Sequence, residues 1–176
     1  MRFIEIEVPG AFLVEIEPVI DERGFFARTF CGEEFARHGL EAKFSQVSLS
    51  YNSRRGILRG LHYQAEPHAE VKLVRCIKGA VFDVIVDLRP RSRTYCHWVG
   101  QELSEDNHSA FYIPEGVAHG FLTLSEASEL EYQISVPYVP DSARGVRWND
   151  PAFGIKWPDV PKVISARDRS FEDFAA

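Results

Sequence analysis

The chain has 176 residues, of which 45% are hydrophobic and 26% charged, and its formal net charge is -6. This length is close to that of one average domain, so we expect a single domain over residues 1–176 with one hydrophobic core. The negative charge disfavours nucleic-acid binding, because nucleic-acid-binding proteins usually present a basic surface to the phosphates.

The sequence also disfavours secretion and membrane insertion. The first 18 residues carry a Glu in nearly every short window and lack the apolar stretch of a signal peptide. Apolar runs elsewhere are a handful of residues long, far below the roughly 20 needed to cross a bilayer. Cys31, Cys76 and Cys96 have no CxxC spacing, and an odd number cannot form a closed disulfide framework. We therefore expect a cytoplasmic protein with no membrane partner.

Short β-branched or aromatic segments bounded by Gly, Pro, Asn or Asp recur along the chain and indicate an all-β sandwich or barrel. A short helix is predicted from Glu33 to His38, stopped by Gly39. The prolines between Asp150 and Ala176 predict irregular chain with a turn or two of helix. Strands are predicted at Leu13–Ile16, Ser45–Ser50, His97–Leu103, Ser109–Ile113, Gly120–Thr123 and Glu129–Ser135.

The clearest strand pattern lies between Val71 and Leu88, where two β-branched runs flank Lys78 and Gly79. This pattern predicts a hairpin with its turn at Lys78-Gly79. In the second run, alternation places one set of side chains on one face, namely Phe82, Val84, Val86 and Leu88, and another set on the opposite face, namely Asp83 and Asp87.

A cluster of arginines, Arg54, Arg55 and Arg59, lies just before a strand-like segment. In an acidic protein such a cluster suits one small anionic ligand better than a polyanion. Taken alone, the cluster is more typical of a solvated arginine-rich turn.

The segment GILRGLHYQ at 56–64 places a cation and an imidazole on one strand. Arg59 and His62 would face opposite sides of a regular strand, and Gly60 is a natural place for a bulge that changes this. Lys72, His119 and Tyr132 also lie in strand-like segments, which barrel closure would bring together. Alternation points the Tyr132 phenol inward, although a core Tyr bonded to the backbone gives the same pattern.

Five long motifs occur in order along the chain: DERGFF at 21–26, GILRGLHYQ at 56–64, KLVRCIKGAVFDVIVDLRPRS at 72–92, IPEGVAHGF at 113–121 and RWNDP at 147–151. Together they closely resemble the dTDP-4-dehydrorhamnose 3,5-epimerase family. The resemblance implies a double-stranded β-helix, the cupin-like jelly roll, with short peripheral helices. It also implies a homodimer that epimerises a nucleotide-linked 4-keto-6-deoxy sugar with no metal and no NAD.

The resemblance implies catalytic roles for four residues. A C–H beside a ketone loses its proton through an enolate, which needs a base, an oxyanion stabiliser and an acid on the opposite face. By motif, His62 is the base and Asp168 orients it. Lys72 stabilises the oxyanion, and Tyr132 returns a proton to the other face.

The same resemblance implies a set of substrate-binding residues, in which Arg59 contacts the diphosphate, His119 the sugar and Tyr138 the nucleobase. The full set is Arg23, Arg28, Gln46, Ser48, Arg59, His119, Tyr138 and Arg167.

The chain departs from the family pattern where the nucleotide binds. Arg28 replaces a glutamate, Ser48 replaces the asparagine of a Gln-x-Asn motif, and Ala143 and Arg144 stand where another glutamate is expected. The nucleobase is therefore open, with CDP-, GDP- and UDP-linked sugars as alternatives to dTDP.

Three other functions compete with epimerisation. A metal-dependent cupin would use a His/Glu set such as His68 with Glu66 and Glu70, but the close pair of histidines typical of such sites is missing. A silent sugar-nucleotide-binding module would not need His62 and Tyr132. A 3,4-ketoisomerase also moves protons beside a ketone.

Overall fold

The computed structural model describes residues 1–175, so Ala176, the last residue of the predicted domain, lies outside the described residues. Within that range the chain forms fourteen strands, two short helices and a 3₁₀ turn at Pro140–Ser142. In chain order the elements are β1 (Arg2–Glu5), β2 (Phe12–Glu15), β3 (Val19–Asp21), β4 (Gly24–Phe26), α1 (Gly32–Arg37), β5 (Gln46–Asn52), β6 (Ile57–Gln64), β7 (Lys72–Lys78), β8 (Ala80–Asp87), β9 (Trp98–Ser104), β10 (Ala110–Ile113), β11 (Val117–Thr123), β12 (Ser128–Ile134), β13 (Ala143–Gly145), β14 (Val163–Ile164) and α2 (Ala166–Arg169).

Two sheets account for most of the strands. The first has the order β1-β2-β10-β7-β12-β5, and the second has the order β13-β6-β11-β8-β9, with β14 added beside β6. Pairing in residues 1–175 is antiparallel apart from the parallel contact of β14 with β6. Two antiparallel sheets packed face to face are the architecture of a jelly roll, so the predicted fold class is confirmed.

The main core lies between the two sheets. It combines fully buried side chains of the first sheet, such as Val74 and Phe111, with those of the second, such as Ile85 and Phe121. Each such side chain stabilises the fold by about 1.5–3 kcal/mol relative to exposure. A second cluster packs Phe35 of α1 against Leu73 and Tyr112 on the outer face of the first sheet. The helix both starts and ends one residue before the predicted segment, Glu33 to His38.

The predicted hairpin at Lys78-Gly79 is wrong. Strand β7 pairs with β10 and β12, whereas β8 pairs with β9 and β11, so the chain crosses from one sheet to the other at Gly79. Gly79 has φ +69°, and a Cβ there would lie 2.4 Å from Ser125 Oγ. A glycine that permits a sharp corner therefore has the same local signature as a hairpin turn.

The face alternation predicted for β8 is confirmed. Val84 and Val86 pack in a cluster with Leu61 and Ala118, while Val81 and Ile85 lie in the core between the sheets. Because side chains alternate along a strand, Asp83 shares the inner face with Val81 and Ile85. The sheet thus directs a buried carboxylate into the space between the sheets.

The last segment is mostly irregular with a single turn of helix, α2, as predicted, and it also contains the short strand β14, which was not predicted. Ser165 caps α2, since its Oγ accepts a hydrogen bond of 3.0 Å from the Asp168 amide. Within the described part of the chain, no helix has the length and apolar character needed to span a membrane.

Candidate active site

A cavity of about 580 Å³ opens between the two sheets and is bounded on one side by residues 163–168. Strands β6, β7, β11 and β12 supply its other walls. Of the residues predicted from the sequence, it brings together Arg59, His62, Lys72, His119, Tyr132, Arg167 and Asp168. Apolar side chains such as Phe121, Ile134 and Val163 complete the lining.

A bulge in β6 places Arg59 and His62 on the same cavity. His62 pairs with His119 and Arg59 pairs with Phe121, so Gly60 and Leu61 together lie opposite one residue of β11. Gly60 has φ +125°, and a Cβ there would lie 2.5 Å from the Cα of the facing glycine on β11. The bulge expected at Gly60 is therefore present, and it depends on two strands approaching at glycine.

His62 and Asp168 form a hydrogen-bonded pair. His62 Nε2 lies 2.7 Å from Asp168 Oδ1, with the imidazole 39% exposed and the carboxylate 4% exposed. The Gly60 amide donates to the other carboxylate oxygen at 3.3 Å. Burial acts to raise the pKa of Asp168, but the hydrogen bonds from His62 and Gly60 outweigh it and hold the pKa below its usual value. An ionised Asp168 fixes the ring orientation of His62.

A second carboxylate–imidazole pair, which the sequence analysis did not assign, lies beside the first. His119 Nε2 is 2.9 Å from both carboxylate oxygens of Asp83, and both side chains are almost fully buried. Burial raises the pKa of Asp83. One feature of the sequence indicates such a pair. Asp83 is an acid on the inner face of an apolar strand, and a buried acid requires a partner.

Tyr132 is held against His119, with ring centroids 5.8 Å apart and a T-shaped arrangement. Within residues 1–175 its hydroxyl has no hydrogen-bond partner, unlike that of a core tyrosine bonded to the backbone. Burial, and next the negative charge of Asp83, raise the pKa of Tyr132 well above 10. The phenol is therefore protonated at neutral pH and free to donate into the cavity.

Lys72 reaches the cavity from β7 with a side chain only 8% exposed. Its Nζ donates to the His62 backbone carbonyl at 3.2 Å and lies 2.7 Å from Glu70 Oε1. Arg59 is oriented in a comparable way, because its Nε donates to Asn52 Oδ1 at 2.8 Å and its Nη2 to the Tyr51 carbonyl at 3.3 Å. Both cations are thus held by neighbours, of which Glu70, Asn52 and Tyr51 lie outside the cavity lining.

The other predicted binding residues lie away from this cavity. Arg23 pairs with Asp21 in the exposed turn between β3 and β4, and Arg28 pairs with Glu34 beside α1. Gln46 and Ser48 lie on the edge strand β5, opposite Ile134 and Tyr132. Tyr138 is 55% exposed.

The side chains proposed for the alternative metal site have other partners. His68 Nδ1 lies 2.8 Å from Ser142 Oγ, and Glu70 pairs with Lys72. Across residues 1–175 no group of three or more His, Cys, Asp or Glu side chains is arranged to hold a metal ion.

The chemistry of the cavity follows from these groups. An imidazole oriented by an ionised carboxylate suits a general base, and a protonated phenol suits a general acid. An ammonium and guanidinium groups in the same cavity stabilise anions. The arrangement therefore suits proton transfer beside the carbonyl of an anionic substrate.

Comparison with known proteins gives one consistent result. The family model for dTDP-4-dehydrorhamnose 3,5-epimerase matches residues 5–176. The chain is 46% identical to the protein of that name from Methanothermobacter thermautotrophicus, covering 97% of this chain and 93% of the relative. It is 42% identical to the Shigella flexneri protein of that name, covering 99% and 96%.

A solved structure agrees with the sequence relatives. The crystal structure of dTDP-4-dehydrorhamnose 3,5-epimerase from Bacillus anthracis, with TDP and PPi bound, superposes with a TM-score of 0.95. It is 38% identical in sequence, and the match covers 98% of this chain and 99% of that one.

Proposed function

Because the chain belongs to the dTDP-4-dehydrorhamnose 3,5-epimerase family and is a sugar-nucleotide epimerase, we propose that it inverts C3 and C5 of dTDP-4-dehydro-6-deoxy-D-glucose without a cofactor. The observation that carries the proposal is that the His62–Asp168 pair and the unbonded Tyr132 hydroxyl share one cavity. We assign this activity to one domain comprising residues 1–176.

The first step is removal of the proton beside the C4 ketone by His62. Since Asp168 holds the Nε2 side of the ring, the other ring nitrogen carries the lone pair that accepts the proton. The C–H electrons form a carbon–carbon double bond and the carbonyl electrons move onto oxygen, which gives an enolate. Lys72 donates a hydrogen bond to that oxygen.

The second step is reprotonation of the carbon from the opposite face by Tyr132. The buried, protonated phenol gives its proton to the carbon, the enolate collapses back to the ketone, and the configuration is inverted. His119, which Asp83 orients, contacts the sugar beside Tyr132. Solvent then restores the protonation states of His62 and Tyr132.

The nucleoside diphosphate is bound by the arginines of the cavity. Asn52 and the Tyr51 carbonyl orient the Arg59 guanidinium, and Arg167 lies beside Asp168 on α2. Guanidinium groups bind phosphate oxygens through paired hydrogen bonds. Tyr138 stacks on the base.

A homodimer completes the site in this proposal. The β3–β4 hairpin exposes a set of large apolar side chains, Val19, Ile20, Phe25 and Phe26, at 72%, 77%, 53% and 79%. The edge strand β5 exposes another set, Val47, Leu49 and Tyr51. Apolar patches of this kind mark interaction surfaces. A second copy would cover them, and Arg23 in the hairpin and Arg28 just after it would lie toward the partner's cavity.

The dimer is tested by Phe26→Asp, with Val160→Asp as the matched control, because Val160 is also exposed, at 76%, but lies outside this surface. Light scattering should give a monomer for Phe26→Asp alone. A dimer in both variants would contradict the proposed interface.

We further propose a cytoplasmic location, which agrees with three cysteines that form no disulfide among the described residues.

The proposed activity is tested by NMR in D2O with a panel of 4-keto-6-deoxy sugars linked to dTDP, CDP, GDP or UDP. We expect deuterium at C3 and C5 and inverted product with the dTDP sugar. Migration of the ketone from C4 to C3 would instead identify a ketoisomerase. The absence of exchange with every sugar would contradict the proposal.

A further inference from the structure

Glu70 lies on the connection between β6 and β7 and points its carboxylate at a residue of the cavity. Its Oε1 is 2.7 Å from Lys72 Nζ, and the two side chains are only 9% and 8% exposed. Glu70 does not line the cavity itself. The pair therefore joins a cavity cation to a carboxylate in the layer of residues behind it.

The hydrogen bonds of Lys72 can be counted. An ammonium group has three N–H donors. One donates to the His62 backbone carbonyl at 3.2 Å, and the ammonium also forms an ion pair with the Glu70 carboxylate at 2.7 Å. One donor remains for a ligand in the cavity. Because the hydrogen bond and the ion pair hold Nζ from two sides, they restrict the directions in which the remaining donor can point.

The buried Glu70–Lys72 ion pair is a poor means of stabilising the fold. Removing two charges from water costs several kcal/mol per ion, and an apolar pair of similar size is often as stable or more so. A second acid, Asp83, also interacts with Lys72. Burial raises the pKa of Asp83, and the positive charge of Lys72 acts in the opposite direction with a smaller effect. An ammonium held by buried acids while lining a cavity fits a function in the cavity better than one in the core.

We propose that Glu70 is a positioning residue that aims the remaining N–H of Lys72 at the oxyanion formed during epimerisation. The inference rests on the proposed function, in which Lys72 stabilises the enolate. A preorganised donor acts on the transition state more than on the bound substrate. Loss of Glu70 should therefore reduce turnover and leave binding of the nucleoside diphosphate nearly unchanged.

The test compares Glu70→Ala, which removes both charge and acceptor, with Glu70→Gln, which keeps an acceptor oxygen of similar reach. Glu66→Gln is the matched control, because Glu66 is exposed on the same connection. For each variant, NMR in D2O gives kcat and KM for exchange, calorimetry gives the Kd for dTDP, and circular dichroism gives the folded fraction.

We expect Glu70→Ala to lower kcat at least tenfold, with Kd for dTDP within twofold of the unsubstituted protein. Glu70→Gln should recover part of that loss, and Glu66→Gln should match the unsubstituted protein. The inference is overturned if folded Glu70→Ala keeps kcat within twofold, or if kcat falls only in step with the folded fraction or with dTDP binding. If Glu70→Ala does not fold, Glu70→Gln decides, and a kcat equal to that of the unsubstituted protein overturns the inference.

The failure of the proposed function would look different. In that case the unsubstituted protein itself would show no exchange. Lys72→Met provides the second reference, since it should lose exchange at least as strongly as Glu70→Ala. Normal exchange in Lys72→Met would remove the proposed role of Lys72 and with it the role of Glu70.

Discussion

His62 and His119 lie directly opposite each other on strands β6 and β11, and each imidazole is bonded to a different carboxylate. Asp168 reaches His62 from the C-terminal segment, whereas Asp83 reaches His119 from the neighbouring strand β8. His62 is 39% exposed to the cavity, while His119 is almost fully buried. The more exposed pair is suited to proton transfer, and the buried pair is suited to holding its imidazole in position.

This difference predicts that Asp168→Asn and Asp83→Asn have different effects. Asp168→Asn should lower exchange at C3 and C5 by at least about 100-fold, the scale of general base catalysis, because the His62 ring loses its ionised partner. Asp83→Asn should mainly destabilise the fold, by about 1–3 kcal/mol, since a buried hydrogen bond is weakened. D2O exchange and urea unfolding measure the two effects. An equal loss of exchange in folded Asp83→Asn would mean that His119 also transfers protons.

Because of the bulge in β6, we predict that Gly60→Ala destabilises the fold much more than Gly24→Ala. Both glycines have φ +125°, but a Cβ at Gly60 would lie 2.5 Å from backbone, whereas at Gly24 nothing lies within 4 Å. The two substitutions thus share the backbone strain and differ in the clash. Gly60→Ala should lower the free energy of unfolding by at least about 2 kcal/mol more than Gly24→Ala. Equal urea midpoints for the two variants would contradict the tight approach of β6 and β11.

Sequence patterns predicted the longer strands, the bulge at Gly60 and the cavity residues on β6, β7, β11 and β12, because period-two alternation and glycine are local signals. They did not predict the short strands β1, β3, β4, β13 and β14. They did not predict that β7 and β8 belong to different sheets, since the choice of partner strand depends on distant parts of the chain. For the same reason Asp83 was placed on a face but not assigned to His119. The roles of Arg23 and Arg28 stay predictions, because both lie away from the cavity of their own chain.

We predict that the Asp87 carboxylate makes a pH-dependent contribution to the stability of the fold. Burial acts to raise its pKa, but hydrogen bonds from Arg89, Ser92 and Thr94 outweigh this and lower the pKa from 3.8 to about 2. A carboxylate with a lowered folded-state pKa stabilises the fold above its unfolded pKa, and the contribution disappears as the pH falls from about 4 to about 2.

Asp87→Asn should therefore cost roughly 2 kcal/mol of unfolding free energy at pH 7, with the difference from the unsubstituted protein shrinking below pH 4. Asp106→Asn, at an exposed turn, is the control and should cost little at either pH. Urea unfolding at a series of pH values measures the effect. A cost for Asp87→Asn that stays constant from pH 7 to pH 2 would mean that the ionised carboxylate is not its source.

In the proposed mechanism His62 removes the proton and Tyr132 returns one to the opposite face. Tyr132→Phe separates these steps, since His62, Asp168 and Lys72 still allow the enolate to form and protonated His62 can return a proton to the face from which it came. The measurement is deuterium incorporation and epimer ratio in a single D2O reaction of Tyr132→Phe, followed by NMR. We predict that exchange continues with retained configuration while the epimer yield falls at least about 100-fold. Undiminished epimerisation in Tyr132→Phe would contradict the assignment of Tyr132 as the acid.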